Sequence, residues 1–84
     1  MKLLAELGQA VARHRKDLDL RQGQVAAQAG ISQELLSRFE NGQLSEFGSR
    51  KLLAVLAVLG LEVKFTQVGH SGSLDELRRD RGGA

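Results

Sequence analysis

The chain has 84 residues, of which 42% are hydrophobic and 26% charged, and a formal net charge of +2. This is an ordinary globular mixture sized for one domain, which excludes a disordered body, although a fold this small buries only about 60% of its unfolded surface. The absence of cysteine excludes disulfides and thiolate metal sites.

The two histidines, His14 and His70, lie far apart without a carboxylate cluster, so neither a metal nor a cofactor is expected. The N-terminus shows no basic segment, apolar core and cleavage site of a signal peptide. The longest apolar run, Leu52 to Leu61, is about half the ~20 residues of a membrane span. A soluble, cytoplasmic protein with no membrane partner is expected.

In chain order, a first helix is predicted from about Lys2 to Leu18. Leu3, Leu7, Val11 and Leu18, with Leu4 and Ala10, make one apolar stripe along it. Asp19 then falls where a helix ends, and aspartate tolerates the left-handed conformation, so a positive φ is expected there. Leu20 returns to the core. A second helix, about Gln22 to Gln28, turns Val25, Ala26 and Ala29 inward, their small size allowing a close crossing. Its start reads as poor: Arg21 offers no capping oxygen, and Gly23 costs about 1 kcal/mol against alanine.

Gly30 caps this helix in the left-handed conformation, Ile31 turns inward, and Ser32 caps the next helix. That third helix, about Gln33 to Asn41, buries Leu36 and Phe39, keeps Leu35 at the margin, and leaves Gln33, Glu34, Ser37 and Arg38 outward. Gly42 ends it. A fourth helix is predicted from Ser45 or Glu46 to Leu59, with Phe47, Leu52, Leu53, Leu56 and Leu59 inward, and Gly60 stops it.

Beyond Gly60 the period changes from helical to alternating. Residues 61–67 read as a strand with one buried face, the only strand expected. A lone strand leaves its backbone groups unpaired, and the economical partner is the same strand of a second copy. An antiparallel pairing centred on Val63 sets Glu62 opposite Lys64 of the other chain, with Leu61 and Phe65 completing the dimerisation segment. Residues 68–84 read as a flexible tail, in which Ser73 to Asp80 carries a capping-box pattern for a short helix. The domain proper is thus 1–67.

The second and third helices with their tight turn have the layout of a helix-turn-helix, in which one helix steadies another in the DNA major groove. The residues Gln22, Val25, Ala26, Ala29, Gly30, Ile31, Ser32, Gln33, Leu36, Ser37, Arg38, Phe39, Glu40, Asn41 and Gly42 resemble the lambda-repressor-like, Cro/CI-type helix-turn-helix family. The continuation from Leu44 to Val63 resembles HipB-like antitoxins. The resemblance implies a mainly α, four-helix lambda-repressor-like DNA-binding domain over about residues 2–60, followed by a β-strand that pairs across a dimer. It also implies a HipA-type kinase toxin as partner. Finally, it implies a salt bridge between Arg15 and Glu40 that orients the third helix, and a phosphate contact at Asn41.

The chemistry of the residues points to the same surface. Gln22, at the start of the second helix, is placed to fix a phosphate beside unpaired amides and a positive helix end, and Arg21 can add a contact. Gln33 has the donor–acceptor fork that reads adenine, and Ser32 and Ser37 lie on the same approach. Arg38 suits a phosphate or a guanine. Glu34 either accepts from cytosine N4 or repels the backbone. Gln43, Arg50 and Lys51 are backbone candidates, and Arg13, Arg15, Lys16 and Arg21 form a basic run around the end of the first helix and the start of the second.

The expected function is a dimeric, sequence-specific repressor on a palindromic double-stranded operator, an antitoxin that represses its own operon. The alternatives are a phage-type or stand-alone repressor, or a protein-interaction module that has lost DNA binding. An enzyme is not expected, since no nucleophile is paired with a base and no phosphate loop is present.

Overall fold

Residues 3–68 are described by a computed structural model. Met1, Lys2 and residues 69–84, which include nearly all of the expected tail and its short helix, lie outside the described residues. Among the described residues there are four helices: α1 (Leu3–Asp17), α2 (Gln22–Ala29), α3 (Gln33–Glu40) and α4 (Ser49–Val58). Helix α1 packs on α3, while α2 packs on both α3 and α4. None of these helices is long and apolar enough to cross a membrane.

The core is a single apolar cluster of Val11, Val25, Ala26, Leu36, Phe39, Phe47, Val55, Leu56 and Leu59. Helix α1 contributes Val11, with Leu4 and Leu7 packed beside it. Leu3 and Leu18, predicted for the same stripe, are exposed at the two ends, and Ala10 is exposed between them. The helix closes at Asp17, one residue before Leu18, and Asp19 takes φ 60°. That left-handed residue lets the Leu20 amide reach back to the Arg15 carbonyl at 3.1 Å.

Gly8 is the tightest point of the fold. It is buried in α1, and a Cβ built on it would overlap the carbonyl oxygen of Phe39. Only the missing side chain lets the α1 and α3 backbones lie this close.

Two details of α4 differ from the sequence expectation. It begins at Ser49, not at Ser45 or Glu46, because Gly48 holds φ 90° and breaks the helical path. The preceding loop carries Phe47 into the core, where its ring stacks on Phe39 with centroids 4.1 Å apart. The inward face is Leu52, Val55, Leu56 and Leu59, whereas Leu53 is 53% exposed. A period of 3.6 groups 52, 55, 56 and 59 on one stripe and rotates 53 away from it.

Candidate nucleic-acid interface

The turn between α2 and α3 is built from local rules. Gly30 is left-handed (φ 76°), which returns the Ile31 amide to the Ala26 carbonyl at 3.0 Å and sends Ile31 against the core. Ser32 is extended, and its Oγ accepts a hydrogen bond from the Leu35 amide at 3.0 Å, filling one of the open donors at the start of α3. Replacing Ser32 with alanine is expected to cost about 1 kcal/mol in urea denaturation. A hydroxyl used in this way is first an element of the helix cap.

Helix α3 is only eight residues long, too short to stand alone, and is fixed by its inner face. Leu36 and Phe39 there are fully buried, and Leu35 is half-buried against the core. Its other face carries Gln33, Glu34 and Arg38, all exposed, with Ser37 half-buried. Asn41 caps the end, exposed, and its Nδ2 donates to the Ser37 Oγ at 3.4 Å.

The orientation of α3 is set by charge as well as packing. Arg15 from α1 and Glu40 from α3 form a buried two-pronged pair: Nε donates to Oε2 at 2.8 Å and Nη2 to Oε1 at 2.9 Å. The remaining prong, Nη1, donates to the Leu20 carbonyl at 2.8 Å. Glu40 Oε1 also accepts from Gln22 Nε2 at 2.9 Å. One carboxylate therefore joins the ends of α1, α2 and α3. Its hydrogen bonding raises the Arg15 guanidinium pKa further above an already high value, against the lowering effect of burial. No buried side-chain polar atom among the described residues lacks a partner.

Gln22 is thus half-buried, with one of its amide donors committed to Glu40. Its neighbours complete the start of α2 in a way not anticipated from the sequence. Gln24 Oε1 accepts from the Arg21 backbone amide at 2.8 Å, the return arm of a capping box. The signal was a glutamine three residues past the helix boundary, obscured because Arg21 cannot supply the forward arm. A Cβ built on Gly23 would stand 3.4 Å from Gln33 Oε1, an ordinary contact, so alanine would also fit there. That side of the α2 helix is open, and the Gln33 amide extends across it.

Arg21, Gln22, Gly23 and Gln33 line one concavity of about 660 Å³. A second of about 660 Å³ brings Arg13 and Lys16 of α1 together with Gln22 and Asn41. The two share Gln22, so the start of α2, both ends of α3 and the basic side of α1 form one polar surface. Exposed Gln43 lies just past the end of α3, and its backbone amide donates to the Arg38 carbonyl at 2.9 Å. Arg50 and Lys51 are exposed in the first turn of α4 and line neither concavity. Among the described residues the one ion pair is Arg15–Glu40, which leaves Glu34 and Arg38 unpaired by any of them.

Residues 61–67 form neither helix nor strand ladder within the single chain. Leu61 packs against the core cluster, while Glu62, Val63, Lys64 and Phe65 are exposed. A family model described as a helix-turn-helix domain matches residues 1–66, covering all four helices and most of this segment. No curated protein matches the chain.

Proposed function

The chain belongs to the helix-turn-helix domain family, and from that premise we propose that it is a sequence-specific DNA-binding repressor acting as a homodimer. The observation that carries this reading is the outer row of α3. Gln33, Glu34 and Arg38 are exposed on a helix whose other side is locked by Leu36, Phe39 and the Glu40 pair. A rigid helix presenting forked polar side chains suits the edge pattern of major-groove base pairs. Gln22, Asn41, Arg13 and Lys16 flank it with the donors and charges that phosphates require. Two copies joined through residues 61–67 would present two such helices to half-sites about one DNA turn, ~34 Å, apart.

The resemblance of residues 44–63 to HipB-like antitoxins supports a finer reading: repression of the chain's own toxin–antitoxin operon and binding to a HipA-type kinase toxin in the cytoplasm. Finding a kinase-like reading frame beside the gene would favour this over a stand-alone or phage-type repressor. The test of DNA recognition is a gel shift with the duplex upstream of the chain's own gene. Gln33→Ala is expected to weaken binding by about 1–3 kcal/mol per half-site while leaving the melting curve in place. The exposed Glu34 keeps a second reading open, a protein-interaction module without DNA contact. A wild-type chain that captures its partner but gives no shift at any duplex concentration would favour that module and overturn the repressor.

A further inference from the structure

Leu61, Val63 and Phe65 alternate with polar residues along the terminal segment, and their exposure rises outward. Leu61 packs on the core, Val63 is 47% exposed, and Phe65 is 96% exposed. Beside Leu61 and Val63 lies an apolar groove of about 450 Å³, walled by Leu7, Ala10 and Val11 of α1 and by Leu52 and Leu56 of α4. Among the described residues, the chain therefore carries an apolar groove that none of them fills and, on the same segment, a large apolar side chain that packs against none of them.

We propose that each groove is the seat of Phe65 from a second copy, so that the dimer is held by two exchanged phenylalanines as well as by a strand ladder. This rests on the homodimer reading above and adds the helices to its interface. The register is what brings the parts together. In an antiparallel pairing about Val63, residue 65 of one chain lies directly opposite residue 61 of the other, their Cβ atoms about 4.5–5.5 Å apart. Leu61 lines the groove. The partner's ring is thus delivered to the groove's edge, beside Leu61. Charge favours the same register: Glu62 and Lys64 border the groove and fall opposite Lys64 and Glu62 of the second copy. Two-fold symmetry makes the exchange reciprocal, with each copy both giving and receiving a ring.

The 84-residue chain supplies the test, since it contains no cysteine and a single introduced thiol reports one distance. Val63→Cys sits on the two-fold axis of this register and is expected to oxidise to a covalent dimer, the paired Cα atoms lying within disulfide reach. Phe65→Ala empties the seat, and Ala10→Trp fills it from within. Both positions are exposed, so helical circular dichroism should be unchanged. Each variant is expected to raise the dimer dissociation constant in sedimentation by on the order of a hundredfold. A wild-type dimer whose constant is unaltered by either change overturns the seat but leaves the homodimer standing. That is also the outcome if residues beyond Val68 of the same chain fill the groove. A wild-type chain that stays monomeric at all concentrations, with no Val63→Cys cross-link, overturns both.

Discussion

Gly8→Ala is expected to destabilise the protein by about 3 kcal/mol, although alanine is the better helix former by about 1 kcal/mol. The sign is decided by a contact with a distant part of the chain. Gly8 lies buried where α1 crosses α3, and the added methyl would overlap the Phe39 carbonyl. A backbone oxygen cannot swing aside as a side-chain tip can, so the two helices must move apart. Separation would loosen Phe39 in the core and draw Glu40 away from Arg15. A domain of this size has only about 4–13 kcal/mol of total stability, so such a loss is a large fraction of it. Urea denaturation measures the effect directly. A Gly8→Ala chain as stable as the wild type, or more so, would mean that α1 and α3 lie farther apart than described.

Glu40→Ala is expected to cost about 3–5 kcal/mol, because it strands Arg15 as a buried, unpaired cation. The same change removes the acceptor for Gln22 and frees the start of α2. Changing both partners to apolar residues, Arg15→Met with Glu40→Leu, should cost less than either single change, since no buried charge is then left alone. Thermal melts of the two singles and the double give the coupling. Melting temperatures unchanged by Glu40→Ala would show that the pair contributes nothing to stability. The double variant carries a second expectation. With its fold retained but its charged tether gone, it should bind DNA less tightly than the wild type.

Much of this architecture is legible in the sequence wherever the cause is local. Asp19, Gly30 and Ser32 each announce a turn through their own backbone or hydrogen-bonding preference, and each adopts it. The inward positions of Val25, Ala26, Leu36 and Phe39 follow from helical spacing alone. What is not legible depends on partners far along the chain. Gly8 reads in isolation as a weak point in a helix, and its use appears only when α3 is laid across it. In the leucine-rich α4, several faces look equally apolar. Packing of α2 against that helix selects Val55 and leaves Leu53 outside. Gly48 could be read as an interior residue until its φ of 90° fixes the boundary.

The candidate DNA surface divides in the same way. The exposure of Gln33, Glu34 and Arg38 follows from periodicity, since the opposite stripe of α3 is so strongly apolar. By contrast, the hydrogen bond from Gln22 to Glu40 and the nearness of Gly23 to Gln33 arise only once three helices meet. The terminal segment is ambiguous for another reason: its alternation specifies a face, but the groove beside it is assembled from α1 and α4.

The Arg15–Glu40 pair has one more consequence, for behaviour under changing ionic strength. Dissolved ions screen charges they can surround, over a Debye length of about 8 Å at physiological strength, and reach a buried pair far less. The guanidinium and carboxylate are 9% and 3% exposed, so added electrolyte should leave the posture of α3 unaltered. Any weakening of the complex in concentrated KCl would then report the cations at its rim, not a softening of the scaffold behind them.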